Sequence, residues 1–198
     1  MTNLVLFGPP GAGKGTQASI LKDKYGLIHI STGDVFRENI KKETTLGRHA
    51  KSYMEKGQLV PDNITIKMLE AEVDNNTGAK GFIFDGFPRT SAQADALAEL
   101  LAEKRTGISA MIALEVDDKI LIERLLKRGE TSGRADDADE SIIKNRIKVY
   151  YDETEILKKY YQQRGKYYGI NGVGEVEEIT ERIRTVVDQL QKLTKSIL

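Results

Sequence analysis

The sequence predicts an α/β fold of three layers, α/β/α, built on a central parallel sheet of five strands. Short apolar runs bounded by glycine alternate with long amphipathic stretches, and such alternation gives parallel strands with helices on both faces. The chain has 198 residues, 39% hydrophobic and 30% charged, enough to bury a core without a disulfide or metal staple. No repeat, low-complexity tract or linker divides it. One domain with inserts is expected.

The strand-like runs are residues 4–7, 27–30, 82–84, 108–114 and 166–170. Helical periodicity covers 14–25, 61–75, 90–104, 117–128, 139–163 and 175–197. Two places break the rhythm. Residues 31–60 are too long for a simple connection and contain helix-like pieces at 35–41 and 47–56, so they predict a small helical subdomain. Residues 129–137 are glycine-rich and charged without apolar periodicity, and they predict a mobile surface loop in which Gly129 and Gly133 absorb backbone rotation. Both inserts leave the carboxyl ends of strands, where open parallel sheets bind ligands.

Charge and composition narrow the function. Lys plus Arg equals Asp plus Glu at 30 each, so no global basic field draws nucleic acid or an acidic membrane. The chain has no cysteine, which excludes disulfides, thiolate zinc sites and cysteine nucleophiles. The first apolar run is too short for a signal peptide, and no segment approaches the roughly 18 apolar residues that span a bilayer. A soluble, cytoplasmic protein is expected.

Gly8-Pro9-Pro10-Gly11-Ala12-Gly13-Lys14-Gly15-Thr16 follows the first strand and opens the first helix. Glycines there let successive N–H groups converge on phosphate oxygens, backed by the helix N-terminus. Lys14 supplies a point charge to the β and γ phosphates, and Thr16 a hydroxyl near a metal. Gly15 stands between Lys14 and Thr16, one residue away from the strict triphosphate-loop pattern.

Arginines are the second signal. Phosphoryl transfer spreads charge over equatorial oxygens, so cations and positioning do the catalysis. Arginine suits it, being permanently charged and able to fork onto two oxygens. Arg37 lies in the first insert and Arg89 follows a strand end. Arg124 and Arg128 share a helix face, Arg134 sits in the second insert, and Arg146 lies on the next helix. Arg105, Arg164, Arg182 and Arg184 are read as surface charges. Asp85 ends an apolar strand, where an aspartate is costly unless it holds a metal, its waters or a structural partner. Mg²⁺ held through water is the favoured reading, with Asp34 as second candidate. His29 is read as a packed core residue and His49 as exposed.

Together, Gly8 to Thr16, Ser31-Thr32-Gly33-Asp34, Asp85-Gly86-Phe87-Pro88-Arg89 and the run from Arg128 to Arg134 resemble adenylate kinase over nearly the whole chain. The resemblance implies a P-loop core (1–30, 61–127 and 139–198), a monophosphate-binding insert at 31–60 and a short lid at 128–138. It implies ATP bound by Gly11, Ala12, Gly13, Lys14, Gly15, Thr16, Arg124 and Arg128, with Gly174 offering backbone to the adenine. It implies AMP read by Thr32, Gln58, Leu59, Val60, Gly86, Phe87, Pro88 and Gln93. Lys14, Arg37, Arg89, Arg128, Arg134 and Arg146 would be catalytic, the last with Arg37, Arg89 and Arg134 gripping phosphates of both substrates. It further implies reversible transfer between ATP, AMP and ADP with Mg²⁺, and a monomer. Many relatives carry a longer, zinc-binding lid; the short form without cysteine removes zinc. Val35-Phe36 stands where a leucine pair is more usual. The nearest rival is a uridylate/cytidylate kinase, against which Thr32 and the Gln93 amide favour adenine. A P-loop nucleotide sensor is a rival of another class, and it leaves the arginines unexplained.

Overall fold

The computed structural model describes residues 1–137 and 139–196. Five strands, β1 (Leu4–Phe7), β2 (Ile28–Ser31), β3 (Phe82–Asp85), β4 (Ala110–Glu115) and β5 (Tyr167–Asn171), form one parallel sheet in the order β2-β3-β1-β4-β5. The register pairs Val5 with Phe84 on one side of β1 and with Met111 on the other.

The strands read as continuous apolar runs because both faces of the sheet are covered. Side chains alternate between two cores: Leu4, Leu6, Ile83 and Ile112 face one, while Val5, Phe7, Phe84 and Met111 face the other. The first is closed by α1 (Lys14–Tyr25), α6 (Asp118–Ser132) and α9 (Val176–Ser196), through Leu21, Leu125 and Ile183. The second is closed by α4 (Asp62–Asp74), α5 (Ser91–Glu103) and α8 (Leu157–Gln162), through Leu69, Leu97 and Leu157. Between β2 and α4, α2 (Thr32–Lys41) and α3 (Thr45–Met54) build a third, smaller cluster of Phe36, Ala50, Val60 and Met68.

Several boundaries differ from the sequence reading. Helix α2 begins three residues earlier than expected, because the Ser31 hydroxyl accepts from the Asp34 N–H and caps it. The expected helix at 139–163 is divided into α7 (Glu140–Val149), a π-helical turn at Tyr150–Thr154, and α8. The expected loop at 129–137 is largely helical. Helix α6 runs to Ser132, so Gly129 lies inside it, and Gly133 at φ +63° ends it in a left-handed cap. A 3₁₀ turn, Ala135–Asp137, follows with Asp136 and Asp137 buried. Residue 138 of the expected lid and residue 197 of the expected last helix lie outside the described residues. Among the described residues no helix is long and apolar enough to cross a membrane.

Candidate active site

The loop between β1 and α1 runs beneath the carboxyl end of the sheet. Gly8, Gly11 and Gly13 adopt φ of +140°, +85° and +95°, a conformation that only glycine holds at little cost. Gly13 opens α1 without a side-chain cap, so N–H groups of the first turn point at the loop's mouth. The Lys14 ammonium donates to the carbonyls of Gly8 and Pro9 at 2.8 and 2.9 Å. Desolvation lowers it to about 8; Asp85 works against this, and Arg89, Arg146 and Arg128 add to it.

A cleft beside this loop holds about 1000 Å³ of empty space, open on one side. Lys14, Arg37, Arg89 and Arg146 line it. So do Thr32, Gln58, Leu59, Val60, Gly86, Phe87, Pro88 and Gln93, which come from three separate stretches of sequence. Asp136 and Tyr150, which the sequence did not single out, line it too.

Each cationic side chain has its own anchor. Gly86, at φ +76°, lets the chain turn after β3, and the Arg89 Nε donates to its carbonyl at 2.7 Å. A Cβ at Gly86 would stand 2.9 Å from both the Arg89 guanidinium and the Thr32 hydroxyl. Thr32 donates to the same carbonyl at 2.9 Å and keeps its lone pairs. Desolvation lowers the Arg89 guanidinium to about 10, with repulsion from Arg146 next in weight.

At the rim, carboxylates hold the guanidinium groups. Arg37 and Arg134 both reach Asp34 Oδ1, at 2.5 and 3.2 Å, joining the second insert to the first. Partial burial pushes the Asp34 carboxyl up, but the Arg37 hydrogen bond and charge outweigh it and its pKa is lowered. Arg128 forks onto Asp137 at 2.6 and 3.0 Å, and Arg146 pairs with Asp137 and, at 3.2 Å, with Asp136. Desolvation raises the Asp137 carboxyl, and these arginines more than reverse it. Residues 130–133 are exposed, as the sequence reading expects, whereas Asp136 and Asp137 are buried. A complete set of ion-pair partners is what lets Asp137 be fully buried.

Other assignments fall elsewhere. Arg124 donates to the Gly172 carbonyl at 3.3 Å from both terminal nitrogens, so it anchors the loop after β5 that carries Gly174. Arg182, read as a surface charge, donates to the Asn171 and Val173 carbonyls at 2.8 Å and shapes the same loop. Gly15 and Thr16 are exposed at the start of α1. Asp85 is 8% exposed, with His29 Nε2 3.5 Å from its carboxylate. His29 Nε2 makes no hydrogen bond there, and Asp34 is already held by two guanidiniums. His49 is exposed. Gln93 is buried, with both ends of its amide engaged: Oε1 accepts from the Arg89 N–H at 2.8 Å and Nε2 donates to Asp62 at 2.7 Å. Asp62 carries no motif, and only the fold brings it to Gln93.

Lys14, Arg37, Arg89 and Arg146 line one cleft, and shared carboxylates tie Arg134 to Arg37 through Asp34 and Arg128 to Arg146 through Asp137. Cations gathered in this way suit a polyanion, and with a glycine loop at a helix N-terminus the class is a P-loop phosphotransferase.

The family model for adenylate kinase matches residues 6–166. The chain is 58% identical to an adenylate kinase of Flavobacterium psychrophilum and 52% identical to one of Flavobacterium johnsoniae. Each alignment covers 96% of this chain and all of the relative. An adenylate kinase of Micrococcus luteus is 44% identical over 100% of this chain and 96% of its own. The chain belongs to the adenylate kinase family, nucleoside monophosphate kinases whose reaction is ATP + AMP = 2 ADP, with Mg²⁺ accompanying ATP. Both rival readings, the pyrimidine nucleotide kinase and the sensor, give way to this.

Proposed function

We propose that the family's reaction is run in the cleft between the β1–α1 loop, the α2–α3 insert and the 128–137 segment, with ATP phosphates on the loop and AMP beneath the insert. The observation that carries this reading is the gathering of Lys14, Arg37, Arg89 and Arg146 on one cleft, with Arg128 and Arg134 tied to its rim through Asp137 and Asp34.

Lys14 and the N–H groups at the start of α1 bind the β and γ phosphates, with Arg124 and the Gly174 loop beside the ATP adenine. Arg37 and Arg89 hold the AMP phosphate. Arg128, Arg134 and Arg146 neutralise the phosphoryl group as it passes between the nucleotides. No general base is required, because the attacking AMP oxygen is largely deprotonated near neutrality (second pKa about 6). Thr32, through its free lone pairs, and the Gln93 amide read the base, while Phe36 and Val60 give it an apolar wall. Closure of the insert and lid over both nucleotides excludes water, which would otherwise accept the phosphoryl group.

Mg²⁺ fits the residues present. The Asp85 carboxylate lies 3.6 Å from where a Gly15 side chain would begin, so it faces the phosphate loop rather than the core. Among the described residues no group of three or more His, Asp or Glu could hold a metal alone. Mg²⁺ keeps most of its waters and needs few protein ligands, so it would meet Asp85 through them. When bound with ATP it would supply charge neutralisation at the phosphates.

Two measurements test the reading. A bisubstrate analogue joining two adenosines by five phosphates is expected to bind far tighter than ATP. In a coupled assay with ATP, AMP is expected to exceed CMP, UMP and GMP as acceptor. An analogue no tighter than ATP, or a preferred pyrimidine acceptor, overturns the site assignment.

A further inference from the structure

Asp62 is the first residue of α4, immediately after the α2–α3 insert rejoins the sheet. Its two carboxylate oxygens face the start of α5. Oδ1 accepts from Gln93 Nε2 at 2.7 Å, and Oδ2 accepts from the Thr90 hydroxyl at 2.9 Å. Thr90 in turn caps α5 by accepting from the Gln93 N–H at 3.2 Å. On its other side, Gln93 Oε1 accepts the Arg89 N–H at 2.8 Å.

These partners fix which end of the Gln93 amide is which. A backbone N–H can only donate, so it requires oxygen; a carboxylate can only accept, so it requires the NH₂ group. A half-turn of the amide would set N–H against N–H and oxygen against carboxylate, leaving buried polar groups unpaired. One amide N–H and one oxygen lone pair remain, on a side chain that lines the cleft.

From this we infer that Asp62 is a positioning residue that makes the site choose a 6-amino over a 6-oxo purine. The inference rests on the AMP reading of Gln93 proposed above. Adenine offers an acceptor at N1 beside a donor at its amino group. Hypoxanthine offers the reverse, a donor at N1 beside an acceptor at O6. An amide free to turn serves either base; an amide held at both ends serves one. Sites whose buried polar groups are committed in this way reject mismatched substrates strongly.

The test compares AMP with inosine monophosphate, its 6-oxo analogue, as acceptors from ATP in the parent and in Asp62→Ala. Circular dichroism confirms that each protein is folded at the assay temperature. The parent must phosphorylate AMP; if it does not, the underlying reading falls, whatever the variant does. Given that it does, the ratio of kcat/KM for AMP over inosine monophosphate is expected to narrow by about tenfold in Asp62→Ala, the weight of a hydrogen bond or two. A ratio that moves less than threefold overturns the inference even if overall activity drops, because a merely structural role would slow both acceptors alike. Asp62→Ser leaves room for a water to hydrate both orphaned donors, and it carries the same test should the alanine variant not fold.

Discussion

The floor and the rim of the cleft hold their cations by different means. On the floor, Lys14 is held by the carbonyls of Gly8 and Pro9, and Arg89 by that of Gly86. On the rim, Arg37 and Arg134 share Asp34, and Arg128 and Arg146 share Asp137. A carbonyl fixes a cation and leaves its charge nearly intact; a carboxylate fixes it and cancels the charge. The floor therefore keeps a positive field, from both cations below about pH 8 and from Arg89 above it. At the rim, under the reading proposed above, a phosphate would have to compete with a carboxylate for the same guanidinium donors. Pre-organisation belongs to the floor and exchange of partners to the rim.

The largest expected effect tests the floor. Lys14→Met or Arg89→Ala should lower kcat by about 10³-fold or more with the circular dichroism spectrum unchanged, the scale for losing a preorganised charge. A variant that kept near-parental turnover would place the chemistry elsewhere. Gly86→Ala puts a methyl group against both Thr32 and Arg89, in a backbone conformation alanine resists. A fall of about 10²-fold in kcat/KM for AMP is expected from the misplaced guanidinium.

The two rim carboxylates should then separate from each other. Asp137 is fully buried between two arginines, so Asp137→Ala should cost about 2 kcal/mol in urea unfolding, less than a wholly buried pair because Arg128 is partly exposed. Its lowered pKa sets the sign with pH. The pair's contribution is complete above the unfolded value of about 3.9 and is lost as pH falls through the lower folded value.

Acting next, pH sharpens the contrast from the floor side. Lys14 is charged below about 8 and neutral above it, so ATP affinity should weaken by up to about tenfold per pH unit above that point. In Lys14→Met this dependence should vanish; a persisting slope would assign it to another group. The smallest effect belongs to Asp34, whose side chain is 57% exposed. Asp34→Ala should change stability by no more than about 0.5 kcal/mol, since solvent screens such pairs.

What was legible in the sequence tracks what is local. The glycine loop, the strand runs and the Asp85 to Arg89 turn are contiguous, and their glycines and apolar residues announce backbone geometry directly. The partners of the site side chains are not contiguous. Asp62 meets Gln93 across 31 positions and Asp34 meets Arg134 across 100, with no signature at either end. In the 129–137 stretch the surface charges are legible, but the burial of Asp137 is not, because the arginines that pair with it lie nine residues away on either side.

The cluster of Phe36, Ala50, Val60 and Met68 gives the α2–α3 insert a hydrophobic interior distinct from the two that sandwich the sheet. A unit with so little apolar area of its own can come loose by a partial unfolding that leaves the strands intact. Amide protons of α2 and α3 should therefore exchange with deuterium well before those of β1, β3 and β4. If the insert moves to admit a nucleotide, what it has to part from is this small cluster and not the two cores of the sheet.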